Sequence, residues 1–342
     1  MDMKMWTTFL HPFAWIYGKI MVLRNYLFDK GVLKSHLIEQ SSIAVGNLSA
    51  GGTGKSVAID YLISHFKANF SLAVISRGYK RSTKGVVIAS KRSTAEILGD
   101  EPFQFFSKHP EIQVVVAEKR LQALDAIQTL EKKPEVLLFD DLLQHRYLIP
   151  KVMILTTTYA QPYFEDSLLP LGQLREAPKG ARRAEVILVT KCPNDLNLEQ
   201  QERIRNNINP LKNQALFFTK IEYSKKILTH KHSKPLTSFS SPFLLITGVA
   251  NPTPLLEHLQ ENKIPFSHLE FPDHHVFKPN EIENIKKQQQ GRTLLTTEKD
   301  FGRLQPYFAL GEVYYLPIKM SFLSKEEEEA FLKLLYRKAI TV

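Results

Sequence analysis

The chain is poor in cysteine, in tryptophan and in long uncharged apolar runs. Its 342 residues contain one cysteine, Cys192. An intrachain disulfide is therefore excluded, which fits a reducing compartment. A zinc site would need several His or carboxylate partners beside Cys192, and the sequence clusters none there, so the residue reads as structural. A membrane-spanning helix needs about 20 apolar residues. The most apolar segment, MWTTFLHPFAWIYG (5–18), contains Pro12 and is followed by Lys19 and Arg24. It also lacks a small-residue cleavage site, and Asp2 weakens the basic start that a secretory signal requires. Acidic residues are in the minority: 35 Asp and Glu against 45 Lys and Arg leave a formal net charge of +10. That balance favours an anionic partner such as phospholipid headgroups, a phosphorylated substrate or nucleic acid.

What is present begins with an amphipathic pattern. Phe13, Ile16, Tyr17, Ile20, Leu23 and Leu27 follow helical spacing, with Lys19 and Arg24 elsewhere on the wheel. Both tryptophans, Trp6 and Trp15, fall in this segment with Tyr17, as suits a ring half immersed at a membrane interface. A helix packed on the protein's own core has the same periodicity.

After residue 40 the chain alternates apolar strands and helices. SSIAVGNL (41–48), SLAVISRGY (71–79), GVVIAS (85–90), IQVVVAE (112–118), VLLFDD (136–141), KVMILTTT (151–158) and AEVILVTKC (184–192) read as strands. VAIDYLISHFK (57–67), DEPFQFFSKH (100–109) and KRLQALDAIQTLEKK (119–133) read as helices. Near-continuous apolar strands alternating with helices predict an α/β fold, a parallel sheet with helices on both faces. Ligands of such sheets bind at the carboxyl ends of the strands. The loop 49–56, residues 76–79, Asp100 and the pair Asp140–Asp141 all fall at or near such ends. A charged, uneven stretch at 196–240 separates this region from a second alternating one that opens with FLLITGVA (243–250). The expected organisation is an N-terminal interfacial segment (1–40), a P-loop domain (41–222) and a smaller second α/β domain (223–342).

VGNLSAGGTGKS (45–56) ends as a phosphate-binding loop does, although Ser49 stands where the usual pattern has its first glycine. Gly51, Gly52, Thr53 and Gly54 let backbone N–H groups crowd around phosphate oxygens. Lys55 then reaches the β- and γ-phosphates, and Ser56 ligates Mg²⁺. LFDD (138–141) is an apolar strand ending in acid, the partner arrangement that holds Mg²⁺. Asp100 in GDEPF is either a helix cap or a base for a substrate hydroxyl. The adjacent His274 and His275 of FPDHHVF point to opposite sides of an extended chain, which disfavours a shared metal. TKCPND (190–195) is two residues too long for a guanine-reading motif and is taken as a strand end.

Seven stretches occur in order: VGNLSAGGTGKS, SRGYKR (76–81), GDEP (99–102), DD-x-x-QHR (140–146), LLPLGQLRE (168–176), FPDHH (271–275) and TTEKD (296–300). Together they resemble the tetraacyldisaccharide 4′-kinases, the lipid A kinases of Gram-negative bacteria, from the N-terminal aromatic helix to about residue 304. That family also carries serine or threonine where Ser49 stands. The resemblance implies a P-loop NTPase-like domain with a smaller α/β domain. It implies transfer of the γ-phosphoryl group of ATP, with Mg²⁺, to the 4′-hydroxyl of an acylated glucosamine disaccharide 1-phosphate. It places a monomeric enzyme at the cytoplasmic face of the inner membrane and calls for no nucleic acid. By motif, Asp100 is the catalytic base paired with His274, Lys55 and Ser56 serve phosphate and Mg²⁺, and Asp140 and Asp141 are the metal-site acids. His145, Arg175 and Arg77 contact the disaccharide. Glu298 and Lys299 lie in a matched motif without a role. The family usually has glycine after the two acids, whereas this chain has Leu142, which predicts crowding of any backbone near the nucleotide. A membrane-surface P-loop ATPase acting as a switch shares the loop, the acids and the helix, but has no need of GDEP, LRE or DHH. A kinase for a soluble sugar leaves the N-terminal helix idle.

Overall fold

The computed structural model describes residues 3–229, 232–238 and 241–340; of residues 3–9 it describes the backbone alone. In chain order the first elements are α1 (Met3–Asp29), β1 (His36–Leu37), β2 (Ser42–Asn47), α2 (Lys55–Phe66), β3 (Leu72–Ser76), β4 (Val87–Ile88), α3 (Ala95–Leu98) and α4 (Asp100–Lys108). Next come β5 (Gln113–Val116), α5 (Arg120–Gln128), β6 (Val136–Asp140), β7 (Leu148–Ile149), β8 (Val152–Thr158), β9 (Val186–Thr190), α6 (Leu198–Ile208) and β10 (Ala215–Tyr223). The remainder are β11 (Lys226–Leu228), β12 (Ser233–Pro235), β13 (Phe243–Thr247), α7 (Thr253–Glu261), β14 (Phe266–Glu270), α8 (Pro279–Gln289), β15 (Leu294–Thr297), α9 (Glu298–Leu304), β16 (Val313–Leu316), β17 (Ile318–Phe322) and α10 (Lys325–Ala339).

Two compact units result, and neither is continuous in sequence. The first comprises residues 1–77, 111–221 and 320–342; the second comprises 78–110 and 222–319. Residues 221 and 222 fall in different units. The segment 78–110 nevertheless belongs with the second unit, and the last helix belongs with the first. The physical reason is burial: Phe331, Leu335 and Ala339 of α10 are fully buried, with Phe331 ring-packed on Phe217 and Tyr61 of the first unit.

In the first unit the sheet runs β17-β10-β9-β8-β2-β6-β3-β5. The pairs from β10 through β5 are parallel. β2, β6 and β9 are buried at every residue, as a sheet covered on both faces requires. β2 lies between β8 and β6, so Val45 pairs with Asp140 and Asn47 with Thr156. The phosphate loop therefore leaves the middle of the sheet beside the acids.

α1 buries Ala14 and turns several polar side chains toward the protein. Tyr17 Oη donates to the Arg175 carbonyl, Arg24 to the Gln144 carbonyl and Asn25 to Glu176. Phe13, Trp15, Ile16, Ile20, Val22, Leu23 and Tyr26 are exposed. Tyr17 thus turns from the expected apolar stripe to satisfy the Arg175 carbonyl, while Arg24, off that stripe as expected, faces inward onto the Gln144 carbonyl. Trp6 lies outside the described side chains. Among the described residues no helix is long and apolar enough to cross a membrane.

In the second unit the sheet order is β12-β11-β16-β15-β13-β14. β14, β13, β15 and β16 are parallel, and β11 is antiparallel to both its neighbours. α9 begins directly at the end of β15. Thr297 caps it by accepting from the Asp300 N–H, while Asp300 accepts from the Thr297 hydroxyl. TTEKD is therefore strand, cap and helix within five residues.

Candidate active site

The loop after β2 explains its own serine. Arg175 N–H donates to the Leu48 carbonyl at 2.7 Å, Ala50 N–H donates to the Gln173 carbonyl at 2.7 Å, and Ser49 bridges Leu174 antiparallel. Extended backbone accepts any residue, so no glycine is required at 49. Gly54 is different: its φ is +82°, and a Cβ there would lie 3.2 Å from the Thr190 hydroxyl. It opens α2, whose first N–H groups form an anion-binding end. Asn47 ties the loop from inside, donating to the carbonyls of Ser49 (2.7 Å) and Gly51 (3.2 Å). Lys55 Nζ donates to Asn47 Oδ1 at 3.1 Å. Thr53 meets Thr156 hydroxyl to hydroxyl at 2.8 Å. Thr190 Oγ1 donates to the Thr53 carbonyl and Lys191 Nζ to the Gly52 carbonyl. The TKC stretch thus ends β9 by closing on the phosphate loop.

Asp140 ends β6, buried, and accepts from Ser76 Oγ at 2.8 Å. Asp141 follows with φ +54°, a left-handed conformation uncommon outside glycine, Asn and Asp. Arg175 binds it bidentately at 2.8 and 3.0 Å and also donates to Asn47. Lys55 Nζ stands 3.9 Å from Asp141. Burial pushes the Asp141 carboxyl up, but Lys55 and Arg175 outweigh it and hold it at about 2. The buried Arg120 donates to the carbonyls of Ala117 and Asp140. Burial, and then Arg120, push His145 down to about 4, with exposed Arg77 at the end of β3 contributing. Leu142 is buried in the first unit's core. The hydroxyl of Ser56 and the carboxylates of Asp140 and Asp141 offer oxygen donors, the chemistry a hard cation such as Mg²⁺ takes. Among the described residues no group of three or more His, Cys, Asp or Glu forms a metal cluster.

The second unit holds the other half of the predicted chemistry. Gly99, at φ +90°, starts α4, and a Cβ there would lie 3.0 Å from the backbone of Gly78 and Tyr79. Only glycine lets the chain turn and pack there, and the turn sets Asp100 at the helix start. Asp100 Oδ2 is 2.8 Å from His274 Nδ1. His274 has φ +60° and its N–H donates to the Gly248 carbonyl. Its ring meets Tyr79 edge to face at 5.9 Å. Arg303 donates to both oxygens of Asp100. Burial pushes the Asp100 carboxyl up, but the hydrogen bonds from His274 and Arg303 prevail and hold it at about 2. His275 turns the other way, onto Glu281 at 2.8 Å and against Phe271 and Phe277.

The structure therefore gathers Lys55, Ser56, Asp140, Asp141, His145 and Arg175 in the first unit, and Asp100 with His274 in the second. Sequence reasoning missed Asn47, Arg120, Glu176 and Arg303. For Arg303 a signal existed: T-x-x-D in TTEKD is a capping pattern, and it predicts a helix that carries residue 303. Asn47, Arg120 and Glu176 act through contacts that no local pattern announces.

A family model described as LpxK, tetraacyldisaccharide-1-P 4′-kinase, matches residues 6–337. A tetraacyldisaccharide 4′-kinase of Flavobacterium johnsoniae is 43% identical over 319 residues, covering 93% of each chain. One from Bacteroides thetaiotaomicron is 37% identical over 342 residues, covering 94% of this chain and 90% of the other. In three dimensions the chain is similar to LpxK from Aquifex aeolicus, solved in complex with ATP. The TM-score is 0.77 at 30% identity, with 97% and 99% of the two chains covered.

Proposed function

The chain belongs to the tetraacyldisaccharide-1-P 4′-kinase family, and on that premise we propose how its residues transfer the γ-phosphoryl group of ATP to the 4′-hydroxyl of an acylated glucosamine disaccharide 1-phosphate. The observation that carries this reading is the half-buried Asp100–His274 pair at 2.8 Å, which a P-loop ATPase switch does not need. The N–H groups of residues 51–56 and Lys55 hold the β- and γ-phosphates. Ser56, Asp140 and Asp141 would hold Mg²⁺, which would supply charge stabilisation to the phosphate oxygens. Asp100 takes the proton of the attacking hydroxyl as the new P–O bond forms and ADP leaves. His274 keeps the carboxylate oriented. Arg175 steadies Asp141, and Arg77 and His145 serve the sugar and its phosphate.

The acceptor is a lipid, and α1 fits a membrane surface: its exposed face carries Trp15 and Tyr26 beside Ile16, Ile20 and Leu23. The enzyme works at the cytoplasmic face of the inner membrane, held by this helix. The test is a phosphoryl-transfer assay with labelled ATP, Mg²⁺ and the disaccharide 1-phosphate in micelles. Lys55→Ala and Asp100→Ala are each expected to abolish label in the lipid, with Asp100→Ala retaining ATP affinity. Near-normal turnover of Asp100→Ala would remove Asp100 as the base. Label released only as free phosphate would favour the ATPase switch.

A further inference from the structure

We propose that helix α9 supplies two positioning residues for the Asp100–His274 pair: Arg303, which clamps the carboxylate, and Lys299, which fixes the histidine tautomer. The proposal rests on Asp100 being the proton acceptor. Three features hold α9 in place. Thr297 caps it, and Asp300, with no exposed surface, accepts from the Gly248 N–H at 2.8 Å. Gly302 faces Phe103 of α4, where a Cβ would lie 2.8 Å from the ring, so the two helices lie close. Lys299 and Arg303 are four residues apart and share a face.

Arg303 is half-buried, with its side chain 9% exposed. Its Nε donates to Asp100 Oδ1 at 2.7 Å and its Nη2 to Oδ2. Such a fork fixes the plane of a carboxylate, which a single donor does not. A carboxylate has about four acceptor sites. Arg303 fills one on each oxygen and His274 a second on Oδ2. The site left on Oδ1 is the one for a substrate hydroxyl.

Lys299 Nζ is 3.0 Å from His274 Nε2 and is held by Asp273 at 3.3 Å. An ammonium only donates, so Nε2 accepts, and the proton of neutral His274 sits on Nδ1, where it points at Asp100. The 2.9 Å between Arg303 Nη2 and His274 Nδ1 is then the spacing of two donors that share Oδ2. The remaining charged or titratable groups around the pair are Tyr79 against the His274 ring, Asp300 at 3.6 Å from Arg303, and the Lys108–Glu298 ion pair on the neighbouring wall.

The experiment compares kcat, ATP affinity and the pH dependence of kcat/KM for wild type, Arg303→Gln, Arg303→Lys and Asp100→Asn on the lipid acceptor in micelles. Without the clamp, burial is opposed by His274 alone, so the acid limb belonging to Asp100 climbs. Arg303→Gln is expected to lose about 10- to 100-fold in kcat. It should also bring an acid limb into view above the ordinary carboxylate value of about 3.9, with ATP affinity unchanged. Arg303→Lys keeps the charge without the fork and is expected to lie between. ¹⁵N-histidine spectra should show His274 protonated on Nδ1, and Lys299→Met should mix the tautomers. Should Asp100→Asn be inactive while Arg303→Gln keeps the wild-type rate and profile, the clamp is overturned. Should Asp100→Asn itself turn over, the base reading fails instead. An unchanged tautomer in Lys299→Met removes Lys299 from the proposal. Loss of folding in Arg303→Gln leaves Arg303→Lys to decide: a wild-type rate and profile there would overturn the fork.

Discussion

Glu176 has no exposed surface, yet it is a carboxylate. Its oxygens accept from Arg183 at 2.6 Å, Gln144 at 3.1 Å and Asn25 at 3.0 Å. One side chain thus joins α1, the QHR turn and the segment after LLPLGQLRE. Removing one partner of a buried ion pair leaves the other uncompensated, at about 3–5 kcal/mol. Glu176→Ala is expected to lose that much in a urea melt, while Glu176→Gln, which keeps the shape and part of the bonding, loses less. At this scale the sequence was readable where a residue's own chemistry declares what it does. Lys55, Ser56 and the Gly54 turn need no fold to be recognised. That Leu142 is buried in the core could not be read from its identity alone. The contacts of Glu176 with Asn25 and Gln144 and of Arg303 with Asp100 were silent because these partners are distant in sequence.

At the scale of elements, α1 inverts the usual arrangement of a surface helix. Ile20 is 58% exposed and Trp15 66% exposed, while Asn25 and Arg24 point inward. Burying one large aliphatic side chain contributes about 1.5–3 kcal/mol. Ile20→Glu or Leu23→Glu is therefore expected to weaken partition onto phospholipid vesicles by about tenfold or more, measured by co-sedimentation. The melting temperature should hold, since neither side chain packs on the protein. The periodicity of α1 was legible; which face met the protein was not, since that depends on Gln144, Glu176 and Arg175. The central strands of the first sheet, β2, β3, β6, β8 and β9, were legible because burial leaves continuous apolar runs. The stretch 196–240 hid α6, β10, β11 and β12: α6 is almost wholly polar, and its Asn197–Gln200 capping box was its one clear mark.

For the whole molecule, the order of the chain is not the order of the fold. A fragment comprising residues 1–222 ends where the sequence suggested a boundary, yet it lacks α10 and retains 78–110 without the rest of the second unit. Phe217, Tyr61 and Phe66 lose the partners Phe331 and Tyr336. Such a fragment is expected to show no cooperative thermal transition and no ATP binding, by circular dichroism and equilibrium dialysis. Length and alternation suggested two domains in succession. Their interleaving was not legible, because α10 reads as an ordinary amphipathic helix whichever sheet it covers.

The same interleaving bears on the chain as it leaves the ribosome. The nucleotide loop is made early, but the helix that closes its unit is the last described helix to be made. The nascent chain must keep Phe66, Phe217 and their neighbours from aggregating until then. Slowing or arresting synthesis before residue 325 should therefore leave a species that depends on chaperones and cannot retain ATP, even though every residue of its phosphate loop is already in place.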